Sequence, residues 1–326
     1  MTYRWLLPEY LEDVLPDEAW HMEDARRTLL DVLRRRSYEL VIPPLLEFTE
    51  SLVVDSARDM EDITFRLVDQ LSGRQLGLRP DMTLQAARID AHRMQRAGAN
   101  RLCYAGPVVH THPEGLNRSR EPFQVGAELY GVGGIEGDLE ILALMLECLG
   151  ALGLSEVVLD VGQVGVFRHL AQASALSPQH EKTCLDLLQR GDVGALQHWA
   201  ETLGSPWGER LAALSTLHGE PREVLAQARQ RLAGVDGLEA CLQPLEQVLQ
   251  LPLGKARMSF DLAQLRGYHY HSGLVFAVYG TGFPEAIARG GRYDDIGQVF
   301  GQARPAVGFS LDLKALLPAV MKKNKE

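Results

Sequence analysis

Hydrophobic and polar positions along the chain sort into an α+β pattern with a long helical stretch in the second half. From Asp17 to Arg36 apolar residues recur at helical spacing, with acidic residues at the start and basic ones at the end, which predicts an amphipathic helix. Tyr38 to Glu47 reads as a strand that Pro43-Pro44 brings to an end, because proline donates nothing to a ladder. Thr64–Leu71 and Arg74–Arg79 flank Ser72-Gly73 and predict a hairpin. A helix is expected from Arg79-Pro80-Asp81-Met82-Thr83 through Gln95, with Asp81 or Thr83 available to cap its first turn. Arg101–Pro107 and Phe123–Tyr130 read as strands separated by a polar loop, His110 to Arg120. Asp138–Leu152 reads as an apolar helix and Glu156–Val161 as a further strand.

From Phe167 to about Leu251 the texture shifts to Leu, Ala, Gln, Glu and Arg with few strand signals. Strands resume at Arg257–Asp261, Gly273–Tyr279 and Ala286–Arg289, and Ala306–Leu317 closes the pattern as a strand and a helix. Strands linked by hairpins rather than by regular β-α-β units imply a mostly antiparallel sheet flanked by helices. The domain organisation that follows is a discontinuous sheet domain, 1–165 and 253–326, interrupted by a helical insertion, 166–252.

Composition narrows the function classes. At 326 residues, 46% hydrophobic and 23% charged, the chain is that of a globular protein with a substantial core. The apolar run from Ile141 to Leu154 is broken by Glu147 and too short to span a membrane, and the first ten residues carry no signal-peptide pattern. A cytoplasmic location is expected, with no membrane partner. The net charge of −10 and the scattered basic residues disfavour nucleic-acid binding, which draws most of its affinity from phosphate neutralisation. Cys103, Cys148, Cys184 and Cys241 lie far apart among apolar neighbours and read as buried free thiols. His110 and His112 lack a matching carboxylate or cysteine, so no metal site is expected, and nothing points to a cofactor.

The densest chemistry lies in Leu265 to Phe276. One guanidinium (Arg266), two phenols (Tyr268, Tyr270) and two imidazoles (His269, His271) precede an apolar strand. If that segment is already extended, alternation puts Arg266, Tyr268 and Tyr270 on one face and the histidines on the other. Such a set suits a small planar polar ligand with a carboxylate, which arginine grips bidentately. An aromatic edge strand on a solvated sheet accounts for the same composition.

The order of motifs resembles the class II histidyl-tRNA synthetase catalytic domain over nearly the whole chain. Tyr38 to Glu47, with Pro44, resembles that class's first motif, a dimer-interface element. Arg79-Pro80-Asp81-Met82-Thr83 resembles Arg-Pro-Glu-Gly-Thr, and Phe123 to Glu128 resembles the second half of the second motif. Leu265 to Phe276 resembles the histidine-recognition segment Arg-Gly-Leu-Asp-Tyr-Tyr. Gly290-Gly291-Arg292-Tyr293-Asp294 is similar to the second histidine segment, and Gly308 to Lys314 stands in the place of the third motif. The resemblance implies a histidine pocket. Asp81 and Glu128 would take the ammonium with help from Thr83 and Gln124, Arg266 would face the carboxylate, and Tyr270 would meet the imidazole, with His271 replacing the family's second tyrosine. Asp81 and Thr83 also suit plain helix capping, and Glu128 a satisfied sheet carboxylate.

The departures fall on the nucleotide side. His110 stands where the second motif carries its arginine, His112 where it carries glutamate, and Lys314 where the third motif carries arginine. Neither imidazole nor ammonium reproduces a permanent planar fork. No anticodon-binding domain, and hence no tRNA, is expected. That combination resembles the family of ATP phosphoribosyltransferase regulatory subunits. The resemblance implies a non-catalytic chain that binds L-histidine, forms a homodimer through the Tyr38–Pro44 region and joins a short catalytic subunit in a hetero-octamer. It would be required for that subunit's activity and for histidine feedback. The alternatives are a truncated synthetase-like enzyme that activates an amino acid with ATP, and an interaction protein whose pocket is a relic.

Overall fold

The computed structural model describes residues 5–53, 59–113, 119–204 and 206–323. The chain opens with helix α1 (Pro16–Arg35), whose buried stripe is Ala25, Leu29, Val32 and Leu33. Two short strands follow, β1 (Glu39–Leu40) and β2 (Leu46–Phe48), in different sheets. The single strand expected from Tyr38 to Glu47 is thus split. Pro43 and Pro44 have no N–H to give, and their carbonyls are instead claimed by Arg79 Nη1 at 2.7 Å and Gln85 Nε2 at 2.8 Å. Short helices α2 (Thr49–Leu52) and α3 (Asp59–Ile63) lead to the expected hairpin, β3 (Arg66–Val68) and β4 (Gln75–Leu78), which pairs with β2 in a three-stranded sheet.

Helix α4 (Thr83–Arg88) is shorter than expected, because it loosens into a π-helical turn at Ile89–Met94 and ends with Gln95 in the left-handed region. The π-turn sets buried Asp90 against Asn100 at 2.5 Å and Arg304 at 3.2 Å. Strands β5 (Asn100–Pro107) and β6 (Phe123–Tyr130), helix α5 (Gly134–Ala151) and β7 (Val157–Gln163) come next. Residues 114–118 of the polar loop between β5 and β6 lie outside the described residues.

Six helices then run between β7 and the next long strand: α6 (Val164–Ala173), α7 (Pro178–Arg190), α8 (Val193–Glu201), α9 (Trp207–Ala213), α10 (Pro221–Arg231) and α11 (Leu238–Val248). A two-residue strand, β8 (His218–Gly219), sits among them. Strands β9 (Arg257–Asp261), β10 (Leu274–Gly280), β11 (Ala288–Arg292) and β12 (Ala306–Asp312), and helix α12 (Leu313–Lys323), complete the chain.

The large sheet has the order β1-β5-β6-β12-β11-β10-β7-β9-β8. It is mostly antiparallel, with parallel pairings at β1–β5 and β7–β9. Alternation along β6 shows how it is used. Val125, Ala127 and Leu129 join the main core, on which α1, α5 and α12 pack. Gln124, Glu128 and Tyr130 point to the opposite face, which α4 covers only in part. Polar groups in the middle of a wide sheet, under an incomplete layer of helices, leave room for a ligand.

Candidate ligand-binding site

One cross-strand row builds the floor of the site. Glu128 on β6 stands opposite Gly308 on β12, Gly308 opposite Gly291 on β11, and Gly291 opposite Val275 on β10. The two glycines leave a trough beside a carboxylate. A Cβ on Gly308 would collide with the Glu128 carboxylate, and one on Gly291 would lie 2.7 Å from the His271 ring. Above the trough is a cavity of 650 Å³.

Asp81, Thr83, Glu128, Arg266, Tyr270 and His271 all line this cavity. Gln124 does not reach it. It acts one step behind, donating to Asp81 Oδ2 at 2.5 Å while its oxygen accepts from Met82 N–H at 2.9 Å. Asp81 Oδ1 also accepts from the Thr83 N–H at 2.6 Å, the first N–H of α4, so one carboxylate both orders the start of the helix and faces the cavity. Buried Arg79 fixes this corner by bonding the carbonyls of Pro107 and Pro43.

Glu128 is only 1% exposed. Its oxygens accept from the hydroxyls of Tyr104, at 2.8 Å, and Tyr293. Burial pushes its carboxyl up to about 8, opposed by those hydrogen bonds and reinforced by the charge of Asp81. Tyr270 stacks on Tyr293 with ring centres 5.1 Å apart. Its hydroxyl is buried and, among the described residues, has no hydrogen-bond partner. The closed end of the cavity thus presents an acid and a free phenol between aromatic walls.

Tyr104 and Tyr293 were not among the expected site residues. Tyr104 sits in a strand whose apolar pattern conceals it. Tyr293 lies in the second histidine segment, and only the fold brings it over Gly308 to Glu128.

The recognition segment itself is corrected. Residues 265–271 form a turn rather than an extended strand. Gly267 adopts φ +67°, and the N–H groups of Tyr270 and His271 both return to its carbonyl. Alternation therefore fails: Arg266, Tyr270 and both histidines line the cavity, while Tyr268 turns away and packs edge-on against Phe167 of α6. His271 Nδ1 faces the carbonyl of Arg292 at 3.2 Å, and burial pulls its imidazole down to about 4. Among the described residues no hydrogen bond or ion pair holds the Arg266 guanidinium, which faces solvent at the cavity mouth.

A second cavity of 660 Å³ adjoins the first across Pro80, Asp81 and Ser310. His110 and Lys314 line it. The His110 ring donates to the Pro80 carbonyl at 2.8 Å, and Lys314 Nζ reaches the Glu12 carbonyl at 3.4 Å and Ser119 Oγ at 3.5 Å. His112 is exposed and meets the hydroxyl of its neighbour Thr111 at 3.0 Å. Among the described residues no group of three or more His, Cys, Asp or Glu is placed to hold a metal ion.

A family model described as Histidyl-tRNA synthetase matches residues 10–316. The chain is 52% identical over 317 residues to the ATP phosphoribosyltransferase regulatory subunit of Thiobacillus denitrificans, covering 97% of this chain and 98% of that protein. It is 50% identical over 314 residues to the protein of that name from Chromobacterium violaceum, covering 96% and 82%. A crystal structure described as an ATP phosphoribosyltransferase regulatory subunit/histidyl-tRNA synthetase from Bacillus halodurans matches with a TM-score of 0.87 at 26% identity, over 98% of this chain and 84% of that one. Histidyl-tRNA synthetase from a Nostoc species shares the fold, with a TM-score of 0.81 at 20% identity over 98% of this chain and 76% of that one. The chain belongs to the family of ATP phosphoribosyltransferase regulatory subunits, built on the histidyl-tRNA synthetase fold.

Proposed function

We propose that this chain is a non-catalytic, histidine-sensing subunit that partners a short ATP phosphoribosyltransferase catalytic chain in the cytoplasm, at the first step of histidine biosynthesis. The observation that carries the reading is the closed end of the cavity. The buried Tyr270 hydroxyl has no partner among the described residues; such a group costs about 1–3 kcal/mol when nothing bonds it, and a ligand that bonds it recovers that energy. Histidine offers a matching group at each point. Its imidazole fits the aromatic end, where the Tyr270 hydroxyl and the Glu128 carboxyl present polar atoms and Tyr293 a stacking surface. Its ammonium suits Asp81, steadied by Gln124 and Thr83, and its carboxylate suits the unengaged guanidinium of Arg266. This moves Glu128 from the ammonium to the imidazole, because a carboxyl raised to about 8 is a poor counter-ion at neutral pH.

Regulation requires histidine to bind two conformations of the assembly unequally. The test is an activity titration of the complex reconstituted with a short catalytic chain. The chain should be required for activity, histidine should inhibit, and Tyr270→Phe should weaken inhibition while leaving basal activation intact. Superimposable inhibition curves for wild type and Tyr270→Phe would place the inhibitor elsewhere. Homodimerisation through the Tyr38–Pro44 region belongs to the same reading. It is supported by the exposed apolar edge there, where Ile42 is 85% and Leu40 50% exposed.

A further inference from the structure

The turn that carries Arg266, Tyr270 and His271 is held from outside the sheet, by the first two helices of the insertion. Arg168 on α6 donates from one nitrogen to two main-chain carbonyls of that turn, Tyr268 at 2.8 Å and His271 at 2.5 Å. The same guanidinium lies 5.1 Å from the centre of the Tyr268 ring. From α7, Glu181 accepts from the Tyr268 hydroxyl at 2.8 Å, and Gln189 Nε2 donates to the Leu265 carbonyl at 3.0 Å. The turn has few bonds of its own beyond those across Gly267. Its C-terminal end is fixed elsewhere: Ser272 N–H donates to the Arg292 carbonyl at 2.7 Å, the first residue of α6, Val164, donates to the Gly273 carbonyl at 3.2 Å, and β10 enters the sheet against β7. Ahead of that point, the contacts from the helical insertion hold the ligand-facing loop at residues 265, 268 and 271.

We propose that Arg168 is the positioning residue of the histidine site, and that through Arg168, Glu181 and Gln189 histidine binding is coupled to the helical insertion. The proposal rests on the histidine reading above and extends it to how the signal leaves the pocket. A main-chain segment gripped at residues 265, 268 and 271 cannot change shape around a ligand without moving its grips or breaking them. Arginine suits the task because one planar group supplies two charge-assisted donors and a stacking face, which lysine does not. Any partner that seats on the insertion would, by the same linkage, alter histidine affinity, since coupling between two sites is reciprocal.

Hydrogen–deuterium exchange of the full chain, with and without saturating L-histidine, tests this alongside calorimetry on wild type and Arg168→Ala. In wild type, histidine should slow exchange both in β6 around Glu128 and in α6 and α7. In Arg168→Ala, affinity should fall roughly 10- to 100-fold, as expected for loss of charge-assisted hydrogen bonds. At saturating histidine β6 should still be protected while the response in α6 and α7 disappears. Arg168→Lys, which keeps donors without the planar face, should recover part of the affinity. Tyr268→Phe removes only the hydroxyl bonded to Glu181 and should cause a smaller loss of the same kind, and it serves as the test if Arg168→Ala fails to fold. Histidine binding to wild type with no change in α6 and α7, or equal affinity in all these variants, would overturn the coupling while leaving the pocket assignment standing. No histidine binding to wild type at all would overturn both.

Discussion

The hydroxyl of Tyr293 donates to the carboxyl of Glu128 although β11, which Tyr293 follows, is not a neighbour of β6 in the sheet. Glu128 lies in β6 and Tyr293 follows β11, with β12 running between them. They meet because the residue of β12 directly beneath is Gly308, the cross-strand partner of Glu128. Any side chain at that position would fill the space the pair occupies. A glycine in a central strand weakens the sheet locally, and here it opens the floor of a pocket.

Glu128 should give the free protein a pH-dependent stability of defined sign. Its carboxyl is raised from 4.5 to about 8, so between those values the unfolded chain loses a proton that the folded chain keeps. The stabilising contribution is complete below about pH 4.5 and is lost as pH rises toward 8. Glu128→Gln removes that dependence. Denaturant titrations at pH 5 and pH 8 should show the variant gaining on wild type as pH rises, by roughly 1.4 kcal/mol per pH unit at most. A constant difference across that range would mean that Glu128 is ionised in the folded protein.

Tyr270→Phe should separate binding from folding. Removing a buried hydroxyl that bonds nothing among the described residues should leave the free chain as stable as wild type, or more stable by on the order of 1 kcal/mol. Histidine affinity should fall about 5- to 30-fold, the equivalent of one hydrogen bond made only with ligand. Thermal melts and calorimetry on the same preparation check both. Lost stability together with unchanged affinity would show that the hydroxyl serves the fold instead.

How much of this was legible depended on where each signal lives. Helix α1, the β5–β6 pair and the long helical stretch follow from local periodicity and capping, and residues 16–35, 100–107 and 123–130 lie close to where the pattern puts them. The strand from Tyr38 to Glu47 shrinks to Glu39–Leu40 ahead of its two prolines, because Arg79 and Gln85 reach across the fold to claim the proline carbonyls. The turn at 265–271 failed for a related reason. Its aromatic residues favour a strand, but Gly267 and a guanidinium about a hundred residues earlier impose another shape. Motif order singles out polar residues that the fold gathers around one cavity, Gln124 excepted, whereas it does not single out Tyr104 and Tyr293, since only the assembled sheet sets their hydroxyls on Glu128.

The exposed apolar edge offers a test of assembly. Leu40 in β1 and Ile42 just after it are bared at the margin of the nine-stranded sheet. An uncovered edge of this kind favours pairing with a second chain. Ile42→Asp should shift a wild-type dimer toward monomer, because a charge in a desolvated apolar contact is strongly unfavourable. Sedimentation velocity at micromolar concentration reads the outcome. A wild-type monomer, or a dimer indifferent to Ile42→Asp, would rule this edge out as the interface.

In the second cavity, the side chains of Lys314 and His110 are already engaged. The Lys314 side chain is 9% exposed, and its ammonium is spent on the Glu12 carbonyl and Ser119 hydroxyl. His110 is tied to the Pro80 carbonyl. An enzyme that forms an acyl adenylate needs preorganised donors aimed at the charge that develops on phosphate, and loss of one such donor typically removes about 2.7–4 kcal/mol of transition-state stabilisation. If the costs at His110 and Lys314 add, the expected adenylate-forming activity is several orders of magnitude below that of a working synthetase. Histidine-dependent exchange of labelled pyrophosphate into ATP should therefore stay at background for the chain alone. His110→Arg should not restore it, because Lys314 remains held by the N-terminal segment. Robust exchange in the wild-type chain would overturn the non-catalytic reading, and recovery in His110→Arg alone would show that Lys314 is no obstacle.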